Sequence, residues 1–369
     1  MKPFFTYSKY IFIALCALFS GYYFSCQFNN PTVEPDNPQS GDNPTPSGSG
    51  NPQSGDGEPD IPSTWGRGGQ VHGNNRGLPN CKNTCYMNST LQALFTLYGG
   101  LIQSKASGAA ADSLETKMHN LCTKVTTAVA GQPTNDAGEK KEIQSFYEGV
   151  KKSNTDGKIT WCKNIGTQED ASEVLGAFLD FLGAPKMAIS ETLKKDAYVS
   201  KVNVLTPDPI NKLELPIDGI TNMQDAINQF VADEAVTDYK WDGTAHPEPS
   251  TRSKKYANLD HLNTLVISLK RFKRDTAGAM TSKISNLIDN VLEITIQKEK
   301  TTDLPSDKTY KLVGFIHHGG DCGGGHYIAY IKEGIKWICY DDSSVSEVSE
   351  AAAEAEAKQA YVFFYQPKP

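Results

Sequence analysis

Apolar residues fall at helical spacing in four stretches of the chain. In 168–182, Val174, Leu175, Phe178, Leu179 and Leu182 line one face while Asp170 and Glu173 lie on others. In 85–98, Leu91, Leu94, Phe95 and Tyr98 repeat that pattern behind Asn83 and Thr84, residue types that favour a helix N-cap. The spacing predicts further helices over 222–235 and 347–359. Val, Ile, Tyr, Phe and Trp concentrate instead at 262–272, 310–317, 326–332, 336–341 and 361–365, between turns carrying Gly and Asp, and predict strands. Helices come early and strands late. That segregation predicts an α+β domain with an antiparallel sheet rather than a doubly wound parallel one.

One more apolar run, Tyr10 through Phe19, has a different meaning. It follows Lys2 and Lys9 and precedes small residues and Cys26, the layout of a secretory signal. A retained anchor fits the same run, which is close to the ~17-residue lower limit for crossing a bilayer. Cys26 also stands where a bacterial lipoprotein is cut and acylated, although Tyr23 replaces the usual aliphatic residue. Residues 1–26 therefore read as a signal peptide or membrane anchor. Residues 27–74 read as a tether: 27–65 hold 8 of the 20 prolines and no Lys or Arg, and the hexapeptide at 37–42 recurs at 51–56. So little apolar surface cannot offset the entropy of ordering, so a disordered spacer is expected. No second linker of this kind interrupts 75–366, which reads as one domain.

Charge and composition narrow the function. Thirty-six Lys and Arg stand against 43 Asp and Glu, a net of −7, with 38% hydrophobic and 21% charged residues. The six acidic residues of 27–65 and the two lysines of the leader leave a net of −3 for 66–369. A nearly neutral domain of ordinary globular composition is no general nucleic-acid binder. With one marginal apolar run, the chain is not a polytopic membrane protein either.

The candidate chemistry sits at three separated places. The segment 77–94 runs through a turn to Cys85 at the expected start of a helix, where the macrodipole and free N–H groups favour a thiolate. The segment 319–330 is a Gly-rich loop that delivers His326 to the start of a strand; such glycines let main chain approach a ligand closely. The third, Trp337 through Ser343, ends a strand 15 residues later with Asp341 and Asp342. Two adjacent antiparallel strands put an Asp beside that His. Cys, His and Asp then supply nucleophile, base and orienting acid for thiol catalysis.

These segments resemble the boxes of the ubiquitin-specific proteases. Residues 77–94 are similar to the family's cysteine box, and Gly324-Gly325-His326-Tyr327 with Trp337 through Asp342 to its histidine box. Gln168-Glu169-Asp170-Ala171-Ser172-Glu173-Val174-Leu175 and Leu269-Lys270-Arg271-Phe272 resemble two intervening motifs. The resemblance implies a papain-like fold with a helical thumb, an antiparallel-sheet palm and a fingers region shortened to about 195–260. It implies Cys85 as nucleophile, His326 as general base and then acid, Asp341 as the orienting carboxylate with Asp342 as substitute or helper, and Asn80 as oxyanion donor. It also implies that Gln168, Asp170, Glu173, His318, Gly325 and Tyr327 line the channel for ubiquitin's Gly-Gly tail. The expected reaction is hydrolysis of the bond after that terminal Gly.

Departures bound the reading. Lys82 replaces the Gly usual three before the nucleophile, Glu169 the second Gln and Val174 the usual Phe. The cysteines at 16, 26, 81, 85, 122, 162, 322 and 339 contain no paired Cys-x-x-Cys, so no zinc and no cofactor are expected. The partners expected are ubiquitin and ubiquitinated proteins, with membrane attachment through the N-terminus only, no nucleic acid, and a monomeric enzyme. A leader on an enzyme whose substrate is eukaryotic points to a domain exposed to host cytosol, acting on host conjugates. Two other readings share the motifs: a thiol peptidase for another ubiquitin-like modifier, and a ubiquitin-binding module without turnover. Cys322 in the Gly-rich loop is either an oxidative partner for Cys85 or a loop cysteine without a role.

Overall fold

The computed structural model describes residues 77–126, 137–157, 167–195, 202–205, 208–276 and 280–368. The leader and tether expected at 1–26 and 27–74 lie outside the described residues. Among those described, no helix is long and apolar enough to cross a membrane.

Among the described residues five helices come first: α1 (Cys85–Leu97), α2 (Gly99–Ala106), α3 (Leu114–Thr126), α4 (Ala137–Thr155) and α5 (Ala171–Leu182). α5 begins three residues later than its apolar spacing suggested, because Asp170 caps it: Asp170 Oδ1 accepts from Ser172 N at 2.7 Å. Gly183, with φ 69, ends it in the left-handed conformation that a C-terminal glycine provides. α6 (Met223–Phe230) and α7 (Glu350–Ala357) follow among the strands. α7 is shorter than 347–359 because 344–348 pair as a strand instead.

The main sheet has the order β14 (Ser344–Val348), β13 (Lys336–Asp341), β12 (Gly325–Glu333), β11 (Lys308–Gly320), β15 (Val362–Pro367), β7 (Leu265–Leu269), β4 (Leu213–Leu215), with β10 (Glu293–Ile296) also on β11. Its pairings are antiparallel except that of β4 with β7. A second sheet orders β2 (Val202–Leu205), β1 (Met187–Lys195), β6 (Ser250–Ala257), β5 (Glu234–Val236), with β3 (Pro209–Ile210) on β1. Its strands lie between 187 and 257, overlapping the stretch of about 195–260 expected to form the fingers. A two-stranded ribbon, β8 (Phe272–Arg274) and β9 (Met280–Lys283), completes the fold.

The central strands are apolar at consecutive positions because both faces of the main sheet are covered. Tyr327, Ala329 and Ile331 of β12 and Val362 and Phe364 of β15 join a core with α1, α3, α4 and α5. Ile328, Tyr330, Phe363 and Tyr365 face the opposite core, with residues of α6, α7 and β10. α1, buried from Cys85 to Phe95, lies against β12. Arg271, the centre of the Leu-Lys-Arg-Phe motif, is buried and donates to the carbonyls of Ala360, Ile284, Asn286 and Lys358. It clamps the β7–β8 junction to the chain after β9 and to the chain before β15.

Candidate active site

The approach to Cys85 is a closed loop. Lys82 and Asn83 hold left-handed backbone, φ 64 and 51. That conformation suits Asn but costs a Lys about 1 kcal/mol, which is where the departure from Gly is felt. Thr84 is the N-cap residue, but its side chain does not cap α1. Thr84 Oγ1 instead accepts from Cys81 N at 2.9 Å, and Asn80 Oδ1 accepts from Thr84 N at 3.0 Å. Cys85 then opens α1, 2% exposed, at the positive end of the helix dipole.

His326 and Asp341 meet because β12 and β13 are antiparallel neighbours, with Ala329 opposite Tyr340. His326 Nε2 lies 2.6 Å from Asp341 Oδ1 and 3.9 Å from Asp342 Oδ2. Nε2 is thereby committed to Asp341, which leaves Nδ1 as the ring nitrogen available to the Cys85 sulfur, the second group that favours the protonated ring. Burial lowers the proton affinity of the ring, but the bonds to Asp341 and Cys85 outweigh it and carry the His326 pKa up to about 10. The site thus sets a protonated imidazole close to the sulfur that opens α1.

The two aspartates are not equivalent. Asp342 sits at φ 49, and its carboxylate accepts from Asn80 Nδ2 at 2.8 Å and from Asn88 Nδ2 at 2.7 Å. Its carbonyl accepts from Leu78 N at 2.8 Å. Burial pushes its carboxyl up against the pull of those amides. The Tyr147 hydroxyl donates to Asn88 Oδ1 at 2.6 Å and so fixes which end of that amide faces Asp342. Asp342 ties the β13–β14 turn to the cysteine loop and holds Asn80, while Asp341 holds the imidazole.

The remaining expected residues surround the Gly-rich loop. Gln168 Nε2 donates to Gly325 O at 2.8 Å, and Gly325 N donates back to Gln168 Oε1 at 3.3 Å. A Cβ on Gly325 would lie 2.1 Å from Gly319 O and 2.4 Å from His318 Nε2, so only glycine fits. His318 is opposite Tyr327 in the β11–β12 ladder, their ring centroids 4.5 Å apart. It is 4% exposed, and burial, with the charges of Lys283, His317 and His326, lowers its pKa to about 3. Tyr327 is buried. Asp170 has both oxygens engaged, one at the head of α5 and the other accepting from Tyr361 Oη at 2.8 Å, and burial raises its pKa. Glu173, in the first turn of α5, is half-buried. Asn88, Tyr147, Tyr361 and Lys283 also belong to this region. Asn88 could have been found inside the cysteine motif, whereas nothing near the other three in sequence marks them.

One group of potential metal ligands occurs among the described residues: His326, Asp341 and Asp342, with donor atoms within 4.8 Å of one another. His326 and Asp341 already bond to each other, and the Asp342 carboxylate to the amides of Asn80 and Asn88. Cys322 is a free, partly exposed thiol.

Residues 76–365 match the family model described as ubiquitin carboxyl-terminal hydrolase. The chain belongs to that family. Ubiquitin carboxyl-terminal hydrolase 15 of Schizosaccharomyces pombe is 26% identical over 294 residues, covering 74% of this chain and 24% of the relative. Ubiquitin carboxyl-terminal hydrolase 24 of Arabidopsis thaliana is 23% identical over 357 residues, covering 79% and 64%. This chain thus spans about a quarter of the first relative and just under two thirds of the second. Among solved structures, the SAGA Ubp8/Sgf11/Sus1/Sgf73 DUB module bound to ubiquitin aldehyde matches with a TM-score of 0.65 at 20% identity, covering 80% of this chain and 70% of that one. The same module carrying a Ubp8 variant and bound to monoubiquitin matches with a TM-score of 0.64 at 19% identity, covering 84% and 73%. The likeness establishes the fold of this family, mixed helix and antiparallel sheet, as the segregation of elements predicted.

Proposed function

We propose that this protein is a cysteine-type deubiquitinase that hydrolyses the isopeptide or peptide bond after the C-terminal Gly of ubiquitin. The observation that carries the reading is His326 bonded to Asp341 at 2.6 Å and electrostatically coupled to Cys85, beside the Gly-rich loop. Family membership and the ubiquitin-bound neighbours support the choice of substrate.

In this reading the Cys85 thiolate attacks the carbonyl of the terminal Gly. The resulting oxyanion takes a hydrogen bond from the Asn80 amide, aimed by Asp342. His326 Nδ1 gives its proton to the departing lysine amine and leaves a thioester. His326, now neutral, takes a proton from water, which attacks the thioester and frees ubiquitin; Asp341 holds the ring in one orientation throughout. Gln168 and Gly325, with His318, Tyr327, Asp170 and Glu173 nearby, shape a channel that admits an extended Gly-Gly tail and excludes bulkier residues.

Incubation of the protein with Lys-linked diubiquitin tests the proposal. Release of monoubiquitin by wild type, and none by Cys85→Ala, is expected. Binding of ubiquitin without cleavage by wild type favours the non-hydrolytic module instead, and preference for a chain of another modifier favours the other peptidase. The leader and tether support a site of action at a membrane facing host cytosol. Labelling with a fatty-acid analogue that disappears in Cys26→Ala distinguishes a lipid anchor from a retained helix.

A further inference from the structure

The ribbon β8–β9 brings a lysine to the base of the Gly-rich loop that the resemblance did not mark. Phe272 and Lys283 are paired across the ribbon, and both reach His318: the Phe272 ring stands edge-on to the imidazole at 5.4 Å, and Lys283 Nζ lies 3.0 Å from His318 Nδ1. The same ammonium donates to His318 O at 2.6 Å and Gly320 O at 2.9 Å. An ammonium has three N–H donors and no acceptor, and here three acceptors use all three.

This geometry decides the proton position on His318. The ring is buried and neutral, so one nitrogen carries a hydrogen and the other a lone pair. Lys283 can only donate, so Nδ1 must be the lone-pair nitrogen and the hydrogen sits on Nε2. That Nε2 packs beside Gly325, 2.4 Å from where a Cβ on that residue would lie, one residue before His326. Lys283 also secures the two carbonyls flanking Gly319, where β11 ends and Gly320 turns at φ 98 into the loop. The other charges around this amine are Arg271 and Asp321, and burial with Arg271 holds its pKa near 8, so at neutral pH it remains mostly the donor.

We propose that Lys283 is a positioning residue for substrate: by fixing His318 as the Nε2–H tautomer and tying down the loop, it presents a fixed donor to a backbone carbonyl of the extended Gly-Gly tail. The inference rests on the deubiquitinase reading and adds a residue on a separate ribbon that tunes tail binding rather than bond cleavage.

The test uses the full chain labelled with 15N-histidine, and compares wild type with Lys283→Met and Lys283→Arg. Wild type should show His318 with unprotonated Nδ1 and protonated Nε2, and Lys283→Met should lose that single-tautomer signal. With a fluorogenic ubiquitin C-terminal substrate, Lys283→Met should raise KM about tenfold, the worth of one hydrogen bond, with kcat changed by less than about threefold. Alkylation of Cys85 by iodoacetamide should keep its rate in the variant, which separates lost tail binding from a collapsed site. Lys283→Arg retains a cation and should keep the tautomer and most of the affinity. A proton on His318 Nδ1 in wild type, an unchanged KM in Lys283→Met, or a loss of KM, kcat and alkylation together would each overturn the inference. A wild type that shows the tautomer but cleaves no ubiquitin substrate overturns the functional reading itself, which the tautomer signal tells apart from failure of the lock.

Discussion

Replacing Asp341 by Asn tests the electrostatics of the site, because it keeps the shape of the side chain and removes its charge. His326 rises from an ordinary 6.5 to about 10, which amounts to roughly 5 kcal/mol in favour of the protonated ring. Cys85 supplies part of that, and the Asp341 side chain is 37% exposed and shares its charge with water. The share of Asp341 is therefore about 2 kcal/mol, the size of one charge-assisted hydrogen bond. Losing it should move the alkaline limb of kcat down by about 1.5 pH units and lower kcat by about 30-fold. The assay is kcat against pH with saturating fluorogenic ubiquitin substrate, which keeps any effect of Lys283 on KM out of the profile. The same pair affects stability with a definite sign. The folded pKa of His326 lies above the unfolded value, so its stabilisation is complete below about 6.5 and is lost as pH rises through about 10. The difference in melting temperature between wild type and Asp341→Asn should accordingly be largest at pH 6 and shrink toward about pH 10.5. An alkaline limb at the same pH in both proteins would refute the assignment of Asp341 as the source of the raised affinity.

Other outcomes follow from single contacts. Asn80→Ala should lower kcat about 100-fold with little change in KM, as removal of an oxyanion donor does, and it also takes one amide from Asp342. Gly325→Ala forces a Cβ to within 2.1 Å of Gly319 O and should cost about 1–3 kcal/mol in urea unfolding and most of the activity. Lys82→Gly relieves a positive φ and should raise stability by about 0.5–1 kcal/mol without altering kcat/KM.

Much of the site is legible in the chain because its chemistry is carried by short contiguous segments. Cys85 at the head of a helix, and His326 and Asp341 on strands close enough in sequence to be neighbours, follow from spacing and strand pairing alone. What local sequence does not show is which Asp holds the imidazole, because that depends on the positive φ of Asp342 and on Asn80 and Asn88 reaching it across more than 250 residues. Lys283 and Tyr147 escape for the same reason: each acts through one polar atom delivered by an element remote in sequence. The helices α3 and α4 are a different case. Leu114, Met118, Leu121 and Val125, and Ile143, Phe146, Tyr147 and Val150, have helical spacing, but Lys, Glu and Thr between them dilute the apolar signal. The expected Thr84 side-chain cap is absent, and its hydroxyl accepts from Cys81 N instead.

The most direct measurement of the central claim is reaction with ubiquitin bearing an electrophile at its C-terminus, followed by mass mapping of the adduct. The account predicts one ubiquitin per chain, attached at Cys85, with none formed by Cys85→Ala and a slower adduct in His326→Ala. No adduct on wild type, or an equal adduct on Cys85→Ala, would contradict it.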